Sequence, residues 1–188
     1  MPDTTTTNLM LIRHAPVMGD GRAYGRRDLP ADCSDSRTFT ALRDRLPAPD
    51  RIVASPALRC LQTAARIWPD RVPETLPALW EQDLGAWEDQ PYDSLPDLGP
   101  MTREALATHC PPGGESFADL CARTIPALRA LATGGDIAVV AHAGTIRAAL
   151  AMATGTVPGA LSFEIAPLSL TRITFLPGDG FVIREVSG

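Results

Sequence analysis

Short apolar runs alternating with helix-patterned stretches constrain this chain more than any other feature of its sequence. Residues 8–13, 51–54 and 136–141 are dominated by Val, Ile, Leu, Met and Ala and are too short to be helices, so they read as buried strands. Between them lie segments with helical spacing. Ser34 or Asp35 caps a helix reaching about Leu46, which Pro47 and Pro49 end. Ser55-Pro56 opens a second, with Ser as cap and Pro in the first helical position, and with Leu58, Leu61, Ala65 and Trp68 on its buried stripe. A short helix is expected over 102–108. Ser116 caps a longer one, with Phe117, Leu120, Leu128 and Leu131 inward and a kink at Pro126. A small-residue helix follows over 143–153. Residues 72–76 form a weaker strand, 162–165 and 168–176 two more. Pro177-Gly178-Asp179-Gly180 turns the chain into a last strand over 181–186. Residues 14–33 and 80–100 are loops, the second with short helical pieces. Such alternation predicts an α/β fold: a three-layer α/β/α sandwich on a mostly parallel sheet, the final hairpin adding an antiparallel edge.

At 188 residues the expectation is one domain, 1–188, with the Thr-rich residues 1–7 a flexible lead-in. A formal net charge of −5, not gathered into blocks, argues against a nucleic-acid surface. No apolar run approaches the roughly 20 residues of a membrane span. Met1-Pro2-Asp3-Thr4 lacks the basic-then-apolar order of a secretory leader, so a cytoplasmic protein is expected. Cys33, Cys60, Cys110 and Cys121 form no C-x-x-C pair, and no histidine stands at zinc-finger spacing. Reduced thiols and no metal are the expectation.

The chain has three histidines, and two of them, His14 and His142, end apolar runs. Open α/β sheets bind ligands at the carboxyl ends of their strands, so the two suggest one site. Arg13 beside the first suggests an anion in it, since a guanidinium fork suits phosphate oxygens. A neutral imidazole, with a reference pKa of about 6.5, is a good nucleophile near neutrality. For one Arg-His pair alone, a buried histidine bonded to backbone is the plainer alternative. Arg59 falls in the first turn of the helix after the second strand, near the same edge, where a helix N-terminus also favours an anion. As an isolated case it is a surface arginine. After His142, Ala143-Gly144-Thr145 lets backbone approach a ligand closely. A protonated His142 can stabilise charge on a transferring phosphoryl group. The segment from Leu79 to Glu88 mixes Trp80 and Trp87 with Glu81, Asp83 and Glu88. It suits a loop where a partly desolvated carboxyl serves as general acid. It is equally a packed surface loop, with Asp83 and Glu88 solvated. His109, before Cys110-Pro111-Pro112, reads as a loop residue without a catalytic role.

Together these segments resemble the histidine phosphatase superfamily, with its phosphoglycerate-mutase-like fold. Leu11-Ile12-Arg13-His14-Ala15 is similar to the family's Arg-His-Gly signature, and Ser55-Pro56 through Arg59 to Gln62-Thr63-Ala64 to its second arginine motif. Glu81 with Leu84-Gly85 and Trp87-Glu88 resembles the acid loop. Gly114-Glu115-Ser116 with Arg123 resembles the Gly-Glu-Ser element, and His142-Ala143-Gly144-Thr145-Ile146-Arg147 the second histidine motif. The five stand in family order. The resemblance implies that His14 accepts the phosphoryl group and that Arg13, Arg59 and His142 hold its oxygens. Glu81 protonates the leaving alkoxide and then activates water. Phosphoryl transfer needs mainly positioning and charge neutralisation, so no metal or other cofactor is implied. Two departures stand out. Ala15 occupies the usual Gly position. Pro16, Val17 and Asp20 occupy the stretch where the family often adds Thr or Ser and Asn as phosphate contacts, so a sparser pocket is expected. Asp20 repels an anionic substrate if it points inward.

The stretch from Gly21 to Pro30 resembles a loop of short bacterial members, some named α-ribazole phosphatase, so α-ribazole 5'-phosphate is one candidate substrate. Arg22, Arg26 and Arg27 either flank the pocket or are solvated loop charges. Arg22, Tyr24 and Ala143 are the candidate substrate-side residues. Tyr24, Trp80 and Trp87 are expected to wall the pocket for a flat or cyclic leaving group, with at least one Trp in the core. Few residues separate Glu81 from Gly114, and an open site favours hydrolysis over mutase turnover. The expected partner is a small phosphorylated metabolite, with no nucleic acid or membrane, and monomer and homodimer are both open. A phosphoglycerate-mutase-type or sugar-phosphate phosphatase is the alternative within the fold. A weakly catalytic phosphoester-binding module is the alternative of another class.

Overall fold

The computed structural model describes residues 6–188. Its six strands, β1 (Thr7–Arg13), β2 (Arg51–Ala54), β3 (Glu74–Thr75), β4 (Gly135–Ala141), β5 (Leu170–Leu176) and β6 (Gly180–Glu185), form one sheet in the order β3-β2-β4-β1-β5-β6. β3, β2, β4 and β1 run parallel. β5 and β6 are antiparallel and supply the expected edge. Successive side chains of a strand point to opposite faces, and the core divides accordingly. Leu9 and Leu11 of β1 pack with Ile137 and Val139 of β4 on one face. Met10 and Ile12 pack with Ala138 and Val140 on the other. The central strands are thus covered on both faces, which is why they read as continuous apolar runs.

Helices α1 (Ser36–Arg45) and α2 (Leu58–Ile67) cover the second face through Phe39, Leu42, Cys60, Ala64 and Ile67. The first face is covered by α3 (Arg103–Thr108), α4 (Phe117–Ala130), α5 (Ala143–Thr154) and α6 (Val157–Ala160). Asp35 caps α1, Thr102 caps α3, and Ser116 forms a reciprocal capping box with Asp119 at α4. Gly155, at φ 72°, ends α5 in the left-handed conformation that glycine favours. No helix among the described residues is long and apolar enough to cross a membrane. The four cysteines are unpaired.

Several local expectations are corrected. Residues 1–5 of the expected lead-in lie outside the described residues, but Thr7 is fully buried in β1. The α2 helix starts at Leu58 with Ala57 as cap, not at Ser55-Pro56. Its buried positions are Arg59, Cys60, Thr63, Ala64 and Ile67, while Leu58 is exposed. The helix is therefore turned by about one residue from the stripe of largest apolar side chains, and that turn carries the Arg59 guanidinium inward. Residues 162–165 are not a strand. The carbonyls of Phe163 and Ile165 are instead taken by Arg147 Nε at 2.9 Å and Arg13 Nη1 at 2.5 Å. The next strand begins at Leu170, because Leu168 sits in the left-handed region at φ 58°.

Candidate active site

Strand register alone brings the two histidines together. Arg13 of β1 pairs with Ala141 of β4, so His14 and His142 are the next residues on adjacent parallel strands. Adjacent strands lie about 4.8 Å apart, and the imidazole centroids are 5.2 Å apart in an edge-to-face arrangement. On the other side of β4, Ala54 of β2 pairs with Val140, which puts Ser55 opposite Ala141 and its side chain within reach of His142. The Ser55 hydroxyl lies 2.8 Å from His142 Nε2. Three neighbouring strands thus end in His14, His142 and Ser55 at one edge.

His14 is 5% exposed, and its Nδ1 is 2.6 Å from the Ala15 carbonyl oxygen. A carbonyl only accepts, so Nδ1 carries the proton and Nε2 keeps its lone pair. Burial pushes the His14 pKa down to about 3. The Ala15 hydrogen bond opposes that shift, and the Arg59 and Arg13 charges add to it. The His14 ring is therefore neutral around neutral pH. His142 is fully buried, with Trp80 stacked on it at 6.4 Å and 10° and Cys60 Sγ 3.6 Å from Nε2. Its pKa is held well below the ordinary value by burial first and by the Arg59 charge next. The same surroundings favour the neutral ring around neutral pH.

A cleft of about 240 Å3 opens over His14, lined among others by Arg13, Arg59, Glu81, Tyr24, Ala143 and Arg147. Arg59 is 2% exposed, and its fork donates to the carbonyls of Arg27 at 2.7 Å and Gly25 at 2.8 Å. Arg13 donates through Nη1 to Ile165, and its buried Nε has no protein partner. Burial pulls the Arg13 pKa below its ordinary value, Glu81 opposes that shift, and Arg147 and Arg59 add to it. Glu81 faces the same cleft, accepting the Gln82 amide at 2.9 Å and a long contact of 3.5 Å from the Gly144 amide. Gly144 has no room for a side chain, since a Cβ there would overlap Glu81 Oε1 and lie 2.8 Å from Leu120 Cδ1.

Of the expected site residues, the cleft gathers His14, Arg13, Arg59, Glu81, Tyr24 and Ala143. His142 stands behind His14 rather than on the wall. Arg22 is not on the wall either: it pairs with Asp20 at 2.5 Å and donates to the Asp89 carbonyl at 2.9 Å. Arg27 pairs with Asp89, and Arg26 reaches Glu115 at 3.4 Å and Asp83 at 3.6 Å. These arginines lace the loops to each other, a third arrangement beside the two expected. Asp20 is held by Arg22 and the Tyr24 hydroxyl and does not line the cleft. Ala15 buries its methyl in the core on the α2 side, while its amide donates to Thr63 Oγ1 at 2.9 Å. Trp80 packs on His142, and Trp87 stacks on His109 at 5.4 Å, so neither walls the cleft. Sequence reasoning missed Tyr92 and Arg147 on the wall. Arg147 stands five residues after His142, which places it within the first two turns of a helix starting at the site; Tyr92 carried no such mark.

The family model of the histidine phosphatase superfamily (branch 1) matches residues 9–187. The 6-phosphofructo-2-kinase/fructose-2,6-bisphosphatase of Caenorhabditis elegans is 30% identical over 178 residues, 89% of this chain. The chain spans only 38% of that relative's length. Among solved structures, a mycobacterial glucosyl-3-phosphoglycerate phosphatase superposes with a TM-score of 0.83 at 22% identity, covering 97% of this chain and 99% of the other. A putative alpha-ribazole-5'-P phosphatase from Escherichia coli gives 0.82 at 22% identity, covering 97% and 96%. At that identity the structural likeness establishes a common fold. The family match runs from β1 to the last residues and takes in every element that builds the cleft. The chain belongs to the histidine phosphatase superfamily, branch 1.

Proposed function

We propose that this protein hydrolyses a small phosphorylated metabolite through a phosphohistidine on His14. One observation carries the reading: a neutral imidazole, its Nδ1 proton tied to Ala15, presents Nε2 to a cleft bearing Arg13, Arg59 and Glu81. Nε2 attacks phosphorus as the P–O bond to the leaving group breaks. Arg13, Arg59 and the first amides of α5 meet the charge on the remaining oxygens. The Glu81 carboxyl gives its proton to the leaving oxygen. Because Nδ1 keeps its hydrogen, the product is a phosphoimidazolium, a far better leaving group than an anionic ring. Water then attacks phosphorus, its proton passes to the Glu81 carboxylate, the P–N bond breaks, and neutral His14 returns. His142 contributes from behind, donating a hydrogen bond or, once a phosphoryl dianion offsets the arginine charges, a protonated ring. The charge needed for transfer comes from side chains, so the scheme includes no metal.

A cleft near the low end of ligand-site volumes suits a compact monoester. The resemblance of residues 21–30 to α-ribazole phosphatases, and the likeness to the putative Escherichia coli enzyme, support α-ribazole 5'-phosphate as the first substrate to test. The mycobacterial and Caenorhabditis elegans relatives support sugar-phosphate and glycerate-type esters as the second group. The test is a panel of these phosphomonoesters with wild-type protein and His14→Ala. Wild type should turn over at least one and form an acid-labile phosphoenzyme, and His14→Ala should do neither. Folded wild-type protein inert on the whole panel and on p-nitrophenyl phosphate between pH 5 and 8 would identify a phosphoester-binding module instead.

A further inference from the structure

Glu81 has no regular secondary structure to hold it. It lies between two 3₁₀ turns, Pro77–Leu79 and Gly85–Trp87. Its own carboxylate accepts one bond from the next residue and a long one from Gly144. Beside the Thr145 hydroxyl, which donates to the Leu79 carbonyl at 3.1 Å, and Arg26 Nε, 3.4 Å from the Glu81 carbonyl, the densest support of the backbone here comes from α4. Arg123 donates to three carbonyls of this stretch: Ala78 and Trp80, each at 2.8 Å, and Glu81 at 3.0 Å. Its remaining capacity goes to Glu115, at 2.5 Å from Nη2 and 3.0 Å from Nε. Glu115 in turn accepts the Asp83 amide at 3.0 Å, and its backbone carbonyl accepts Gln82 Nε2 at 2.8 Å. Residues on both sides of Glu81 are thus held by one ion pair. Glu115 is 14% and Arg123 22% exposed at the side chain, so water competes weakly for these bonds.

We propose that the Arg123–Glu115 pair is a positioning device for the general acid, acting on Glu81 through the loop backbone and on the leaving-group step in particular. Neither residue lines the cleft. A general acid must sit within hydrogen-bond reach of the leaving oxygen, and a misplacement of about 1 Å costs on the order of 100-fold in rate. Nucleophilic attack by His14 and phosphate binding by Arg13 and Arg59 rest on β1, α2 and the 14–33 loop instead, and are expected to be largely spared. The proposal rests on the hydrolytic reading with Glu81 as acid.

The experiment compares an alkyl phosphomonoester, whose leaving group needs a proton, with p-nitrophenyl phosphate, which hardly does. Glu115→Gln, Arg123→Lys and Glu81→Gln are measured singly, and each clamp variant also in the Glu81→Gln background. In wild type against Glu81→Gln, a larger loss on the alkyl ester establishes the acid step itself; equal losses refute that reading before the clamp is judged. Given the acid step, the clamp variants should lose about 30- to 100-fold in kcat on the alkyl ester and only a few-fold on p-nitrophenyl phosphate. In the Glu81→Gln background they should cost almost nothing further on the alkyl ester. Equal losses on both substrates, or full additivity with Glu81→Gln, would overturn the proposal and leave the pair a structural brace. Isosteric Glu115→Gln retains the size of the side chain, so it decides the question if Arg123→Lys fails to fold.

Discussion

Gly144→Ala separates stability from activity at a single atom. The residue is buried in the first turn of α5. On propensity alone, Gly to Ala inside a helix gains about 0.5–1 kcal/mol. The new Cβ, however, would overlap Glu81 Oε1 and approach Leu120 Cδ1 to 2.8 Å. Leu120 gives way at the flexible end of its side chain, which offsets most of the helical gain. The carboxylate must withdraw by about 1 Å to regain van der Waals distance, and it also loses its contact with the Gly144 amide. The expected outcome is a urea midpoint within about 1 kcal/mol of wild type. Together with it, kcat/KM on an alkyl phosphomonoester should fall about 100-fold. Turnover of p-nitrophenyl phosphate should fall much less. Stopped or continuous phosphate-release assays on both esters read this directly. Wild-type alkyl turnover in the folded variant would show that the acid does not act from the position Glu81 occupies.

Stability should fall steadily below pH 6.5. His14, with its pKa near 3, and His142, held well below the ordinary value, stay neutral in the fold while the unfolded chain protonates both. The unfolded state therefore binds more protons, and each histidine removes about 1.4 kcal/mol per pH unit as pH falls, for His14 until about pH 3. Urea midpoints between pH 7 and 4.5 check this, and His14→Gln should show a visibly shallower slope; an unchanged slope would contradict the buried neutral ring. Ser55→Ala removes the hydroxyl at His142 Nε2 inside a site with no water access. It should cost about 1–3 kcal/mol in denaturant unfolding and lower kcat, whereas a neutral substitution would mean that Ser55 does not hold the ring. Arg22→Ala breaks contacts to Asp20 and Asp89 outside the cleft, so kcat/KM should stay within about twofold. A large rise in KM would return Arg22 to the substrate side.

The parts of the site legible in the sequence were those fixed by strand ends. A histidine closing an apolar run is placed by the period of the strand, and two such runs in one parallel sheet must end at one edge. Asp35 and Ser116 were legible for the same local reason, since each side chain bonds an amide three residues on. The rotation of α2 was not. Apolar size favoured Leu58 and Leu61, but burial of Arg59 against two loop carbonyls decided the outcome. The stretch 162–165 reads as a strand by composition, yet its carbonyls belong to arginines far away in the chain.

The sequence by itself determined the layered α/β fold, the edge at which chemistry collects, and the residue types present there, because periodicity and capping are local. Tertiary structure alone decided which charges face the cleft. Arg22, Arg26 and Arg27 look equivalent along the chain, and each is turned to a different carboxylate by loops whose register depends on Glu88, Asp89 and Glu115. It also decided the protonation of the histidines, since burial and the nearby guanidinium groups are properties of the assembled site.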